Sequence, residues 1–338
     1  MAYITLNKKH FYNNLDIITK QTQSKEKIAL VLKDNAYGHG IVEVATMAKE
    51  YGITKAVVQN YSEAKIVEEF FEYILVLADL PQEPSSKIRY AINDVNVVTK
   101  LPRGTLVELK VDTGMHRNGI AINELATTLR AIKEQGLELE AIFTHHRNAD
   151  ELTSEWFWQN EQFAQVKEEA ASVAKELGFS TLRFHSSNSA SLFRFKEFSE
   201  DMARVGIAAY GCMKLPSSLN VDGFRAILSL YGKKISSRKL FKGERVGYGA
   251  TFKTEKECQV STYDFGYGDG FLRVCSNSYE TPLGVKIAGR VSMDSSSFVS
   301  FEDELLIFDD ASVVAPFATT ISYEVLTSLK AAIKRRVI

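Results

Sequence analysis

The feature that most constrains this chain is an alternation. Short apolar runs at 27–32, 55–58, 73–78, 88–92, 106–111, 140–144, 181–185 and 204–208 take turns with longer segments such as 40–51, 62–71, 123–135 and 155–177, whose apolar residues recur at helical spacing. Two parallel strands need a crossover of a dozen or more residues between them, and a helix is the usual one. Repeated strand–helix units therefore predict a parallel sheet covered by helices. Eight units is the number at which such a sheet closes, so the pattern predicts an α/β fold with a TIM-type (β/α)8 barrel over residues 9–220.

The pattern changes near Asn220. Short runs at 227–236, 257–263, 284–288, 296–300 and 305–308 are separated by glycine clusters, and helical spacing returns only at 323–334. This predicts a second, mostly antiparallel β domain over 221–338 with one closing helix.

Composition excludes several function classes. Lys plus Arg is 41 against 42 for Asp plus Glu, so no excess positive charge is available for an extended nucleic-acid surface. Cys212, Cys258 and Cys275 show no CxxC or Cys/His spacing, which argues against a disulfide framework and against a metal site. The opening MAYITLNKKH has no basic stretch followed by an apolar one, and no apolar run reaches about 18 residues. No membrane association is expected, and the cytoplasm is the default setting.

The apolar run ending at Leu32 is followed by Lys33, then by a polar, glycine-containing turn and a helix. In a barrel this places Lys33 at the C-terminal end of the first barrel strand, where barrel active sites are built. Burial or neighbouring cations can make such an amine a nucleophile, able to form a Schiff base with a carbonyl substrate or with pyridoxal phosphate. An isolated lysine at a strand end is more often simply solvated, and this segment alone does not name a cofactor.

The segment VLKDNAYGHG (31–40) resembles the cofactor-lysine motif of the alanine racemases, which are fold-type III pyridoxal phosphate enzymes. Further motifs of that family follow in order: KVDTGMHRNGI (110–120), THHRNADE (144–151), HSSNSAS (185–191), ARVGIAAYG (203–211), VGYGATF (246–252), GYGDGFLR (266–273), GRVSMD (289–294) and ISYEV (321–325). Shared order across both predicted domains is far more specific than any one motif.

The resemblance implies roles. Lys33 would hold pyridoxal 5′-phosphate covalently and act as one catalytic base, with Tyr248 as the other, reaching the cofactor of a partner chain. Racemisation removes a proton from one face of Cα and returns it on the other, which two opposed bases can do. His145 and Arg204 match the hydrogen-bond network that supports the tyrosine, and His185 lies near the same arginine. Arg204 would face the pyridine nitrogen. A guanidinium does not readily give up a proton, so it keeps that nitrogen unprotonated and favours reprotonation over transamination. Tyr37, Ser189 with Asn188 before it, and the backbone at Gly206 and Ile207 would hold the phosphate. Arg117 would meet the phenolic oxygen and the substrate, and Lys110 matches a lysine that in some members of the family is carbamylated and then orients that arginine; by itself Lys110-Val111-Asp112 also reads as an ordinary strand end with a salt bridge. Met293 and Asp294 would contact the substrate carboxylate, and Tyr267 would line the approach to it. The resemblance also implies a head-to-tail homodimer with shared active sites, an amino acid as substrate, and a first strand (residues 1–8) that joins the β domain.

Several positions depart from the family pattern. His116 stands where glycine is common, Ser292 replaces a common cysteine, and His146 and Arg147 bring bulk and charge. Arg335 stands where the family usually has a tyrosine near the phosphate, a group an arginine can approach by charge. The cations of 330–336 also suit a helix C-terminus. The primary expectation is interconversion of L- and D-alanine, feeding peptidoglycan synthesis. A racemase of serine or another small amino acid, an amino-acid decarboxylase of the same fold, and a non-catalytic pyridoxal phosphate carrier are the alternatives. Tyr248 and Arg204 argue against the decarboxylase, and the β domain argues against the carrier.

Overall fold

The computed structural model describes residues 1–219 and 221–338, so the expected barrel end at residue 220 lies outside the described residues. Strand β1 (Tyr3–Leu6) opens the chain, and the helix Lys8–Thr22 follows it. Eight parallel strands come next: β2 (Ile28–Val31), β3 (Lys55–Val58), β4 (Tyr73–Val76), β5 (Ile88–Ile92), β6 (Leu106–Lys110), β7 (Glu138–Phe143), β8 (Arg183–His185) and β9 (Ala203–Val205). They pair in the order β8-β7-β6-β5-β4-β3-β2-β9, a nearly closed barrel. Among the described residues no ladder joins β8 to β9, but the Arg204 amide donates to the Ser187 carbonyl at 2.9 Å. All four residues of β2 and of β4 are buried, as expected for strands covered on both faces. The (β/α)8 barrel and the separate, mostly antiparallel sheet are both as the sequence predicts.

The second sheet has six strands. β10 (Leu228–Leu240) is its spine and pairs antiparallel with β1, β13 (Cys258–Tyr263) and β15 (Glu304–Phe308). β14 (Ser296–Phe298) extends it beyond β13, and β11 (Arg245–Val246) pairs with β12 (Phe252–Lys253) apart from it. The last strand, β16 (Lys334–Val337), runs parallel to β1.

Three expectations are corrected here. The helix expected over 323–334 is shorter, Ser322–Thr327, and the cationic tail is β16 rather than a helix end. Its register (Tyr3↔Lys334 to Leu6↔Val337) comes from a strand at the other end of the chain, which local spacing cannot reveal. The run 284–288 makes only isolated bridges, Glu280↔Lys286 and Ile287↔Phe298. The β domain also holds a second helix, Ala311–Phe317, which buries Ala311, Val314 and Ala315.

Candidate active site

Lys33 follows the end of β2. The next four residues, Asp34, Asn35, Ala36 and Tyr37, have φ of 54°, 55°, 53° and 50°, a turn of left-handed helix. Such backbone costs L-residues roughly 1–2 kcal/mol each, so surrounding contacts must hold it. The Asp34 amide donates to Glu63 Oε1 at 2.7 Å, and the Ile41 amide to Asn35 Oδ1 at 2.9 Å. His39 is fully buried and donates from Nδ1 toward the carbonyls of Ala36 (2.9 Å) and Tyr37 (3.0 Å). Burial lowers the His39 ring to about 4, so it is neutral near pH 7.

Arg335 completes this collar. Its Nη2 donates to the Gly38 carbonyl at 2.7 Å and its Nε to the same oxygen at 3.2 Å, while Nη1 serves the carbonyls of Ala331 and Ile333. An approach of Arg335 to phosphate is therefore not what the structure gives: its guanidinium is spent on backbone carbonyls. Tyr323 instead packs against Tyr37, their ring centres 5.6 Å apart.

Tyr37 is buried, and its hydroxyl lies over Gly206: a Cβ built there would sit 2.8 Å from that oxygen. Ser189 Oγ accepts from the amides of Gly206 (3.0 Å) and Ala208 (3.3 Å), while the Ile207 amide between them has no protein partner among the described residues. A hydroxyl, an amide and a close backbone approach at one place form a cradle suited to an anion. Asn188 caps the short helix Ser189–Leu192, its Oδ1 accepting from the Ser191 amide at 2.9 Å.

Arg204 lies on β9, beside β2. Its Nη1 donates to His185 Nδ1 at 2.5 Å, and its Nη2 to the carbonyls of Thr144 (2.7 Å) and Ser186 (3.1 Å). Nε makes no hydrogen bond among the described residues. Burial lowers the guanidinium to about 10, opposed by the carboxylates of Glu200 and Glu108, so Arg204 stays charged near pH 7. Among the described residues no hydrogen bond joins His145 to Arg204; burial, together with the positive charges of Arg204, Lys110 and Arg117 nearby, holds its ring well below the usual histidine range and so neutral.

Lys110, at the end of β6, is buried, and desolvation together with the charges of Arg117, Arg204 and Lys33 lowers it to about 8. Arg117 itself is exposed, on a loop where His116 takes a φ of 52°. Lys33, Lys110, Arg117, Arg204 and His145 thus share one electrostatic environment at the C-terminal ends of the barrel strands.

The residues expected from the β domain are elsewhere. Tyr248 is 71% exposed, Met293 56% and Tyr267 41%. The loops that carry the last two meet each other: the Tyr267 amide donates to the Ser292 carbonyl at 3.0 Å and the Gly268 amide to Met293 O at 2.7 Å, with Asp294 next in the chain. Among the described residues, no hydrogen bond, ion pair or ring contact joins Tyr248, Tyr267, Met293 or Asp294 to Lys33, Arg117 or Arg204.

Sequence reasoning missed two acids beneath the site. Glu200 accepts from the amides and hydroxyls of Ser186 and Ser187. Glu108 accepts from His185 Nε2 at 2.9 Å, from Arg183 at 3.2 Å and from the Tyr73 hydroxyl. The signal for Glu108 was present: a carboxylate flanked by Val107 and Leu109 inside a buried strand.

Two family models match the chain, "Alanine racemase, N-terminal domain" over residues 6–214 and "Alanine racemase, C-terminal domain" over 227–337. An alanine racemase of Nitratiruptor sp. is 44% identical over 335 residues, 99% of each chain. The structure of alanine racemase from Bacillus anthracis with bound L-Ala-P is 27% identical, with a TM-score of 0.84 over 100% of this chain and 95% of that one. That of Bartonella henselae alanine racemase with covalently bound pyridoxal phosphate is 23% identical, with a TM-score of 0.82 over 100% and 99%, a likeness of fold. With both halves matched and a relative this similar end to end, the chain belongs to the alanine racemase family, enzymes of the isomerase class.

Proposed function

We propose that this chain interconverts L- and D-alanine with pyridoxal 5′-phosphate held at Lys33. The barrel (9–220) would carry the cofactor and one base, and the β domain (221–338 with 1–8) the other base, in a homodimer. The reading accords with a lysine at the strand end and an anion cradle of Tyr37, Ser189, Gly206 and Ile207, with Asn188 capping the helix that presents Ser189. Bound there, pyridoxal phosphate makes the Cα–H of an amino acid acidic.

The residues then divide the work. Lys33 takes or gives the proton at one face of Cα, and the partner's Tyr248 does so at the other. The exposure of Tyr248, Met293, Asp294 and Tyr267 in the single chain supports a site completed by a second copy, with Met293 and Asp294 at the substrate carboxylate and Tyr267 at its approach. Arg117 holds the cofactor phenolic oxygen and the substrate, and His145 lines the pocket as a neutral ring.

The observation that carries the reading is Arg204. It is buried, charged and tethered through both Nη atoms, leaving Nε free to meet the ring nitrogen. A donor that keeps its proton leaves that nitrogen unprotonated, which weakens electron withdrawal and favours return of the proton to Cα. D-Alanine formed in this way would serve peptidoglycan synthesis in the cytoplasm.

Racemisation of L-alanine by the purified protein with added cofactor, followed by chiral chromatography beside L-serine, tests this. D-Alanine should form well ahead of D-serine. No D-alanine from folded, cofactor-loaded protein would refute the proposal, and faster D-serine would transfer it to a serine racemase.

A further inference from the structure

Glu108 is a buried acid that the proposed reaction does not use, and its surroundings fix the direction of a whole hydrogen-bond chain. A guanidinium only donates, so His185 Nδ1 must accept from Arg204. A neutral imidazole has a single N–H, which is then on Nε2 and points at Glu108 Oε2, 2.9 Å away. An imidazolium would set a second N–H against that of Arg204. Glu108 is suited to receive the Nε2 proton, because its carboxylate only accepts while ionised. Burial alone would raise it, but His185, Arg183 and Tyr73 outweigh burial and hold it down at about 2. His185 is further fixed by stacking on Phe143, ring centres 5.0 Å apart and 9° from parallel.

We propose that Glu108 is a positioning residue that locks His185 in its Nε2–H tautomer, so that His185 Nδ1 holds Arg204 and leaves Nε toward the cofactor ring. This rests on Arg204 facing that ring.

The two oxygens of Glu108 are not equivalent, and this makes a conservative substitution informative. Oε1 receives Arg183 and Tyr73, while Oε2 receives His185. In Glu108→Gln the amide oxygen stays where Arg183 donates, so the NH2 turns toward His185. Nε2 must then accept, the ring proton moves to Nδ1, and it faces the N–H of Arg204.

Nitrogen NMR of protein labelled at its six histidines, with His185 identified through His185→Asn, reads this directly and needs neither substrate nor cofactor. The unsubstituted protein should show Nε2 protonated and Nδ1 bare. Glu108→Gln should invert the pair and lower kcat/KM about ten- to hundredfold, the scale of one hydrogen bond to a charged group. Tyr73→Phe, which leaves the carboxylate in place, should keep the original tautomer. A protonated Nδ1 in the unsubstituted protein would overturn the proposal, as would an unchanged tautomer in Glu108→Gln or an inverted one in Tyr73→Phe. The tautomer is read without turnover, so a failed racemase assay would not disturb this result.

Discussion

At the scale of single residues, Lys110 makes the sharpest prediction. Its amine is brought to about 8 by burial and by Arg117, Arg204 and Lys33. Carbon dioxide reacts only with a neutral amine. Below 8 Lys110 is increasingly protonated, so at pH 6 about one amine in a hundred is reactive, whereas at pH 9 most are. A carbamate there would replace a positive charge with a negative one beside three cations, and would give the exposed Arg117 a partner. Carbon NMR with labelled bicarbonate should show a carbamate signal at pH 8.5 that is lost on titration to pH 6 and is missing from Lys110→Ala. No signal at either pH would refute the modification. Residues in contiguous motifs, such as Lys33, Lys110 and Arg204, were legible in the sequence because the motif carries its own context. The partner of Arg204 was less so. The chain offers several histidines in suitable motifs, and only the barrel geometry shows that His185, not His145, takes the bond at 2.5 Å.

At the scale of elements, the left-handed turn after Lys33 is held from a distance. Its stabilisers are Glu63 on the helix Tyr61–Val67 and Arg335 on β16, neither of them near it in the chain. This is why the sequence showed a polar, glycine-containing turn after Lys33 but not its left-handed conformation, while barrel strands such as 55–58 and 88–92 were read to the residue: a buried parallel strand is a local apolar run, but the strain of a turn is a tertiary product. The misread tail has the same cause, because β16 exists through β1. If contacts offset the strain, removing one should cost stability and relieving the strain should restore some. Arg335→Ala should lose about 1–3 kcal/mol, the cost of unmaking hydrogen bonds to a charged group. Asp34→Gly, at a position with φ of 54°, should regain about 1 kcal/mol, in either background. Differential scanning calorimetry of the two variants and the double variant would show it as about 2–4 °C per kcal/mol or somewhat less at this chain length. A destabilising Asp34→Gly would mean that the turn is not strained.

At the scale of the whole molecule, the barrel and the separate, mostly antiparallel sheet were legible in the sequence, because helical and strand periodicities differ over many residues. The relation between the domains was not. One chain holds a barrel with its cations gathered around Lys33 and a β domain whose Tyr248 is 71% exposed, with no contact between the two sets among the described residues. Two copies arranged head to tail would each lend the other a tyrosine. This has a consequence that a self-contained site would not share. Lys33→Ala and Tyr248→Phe should each abolish racemisation alone. After subunit exchange, a mixed dimer has one site lacking both groups and one site with both intact. Random pairing of equal amounts makes half the dimers mixed, each with one working site of two, so about a quarter of the unsubstituted activity should return. Exchange is verified separately by mass spectrometry of differently tagged chains. Exchange without recovered activity would place both bases in one chain, and the exposed Tyr248 would then need a closure of the β domain onto its own barrel.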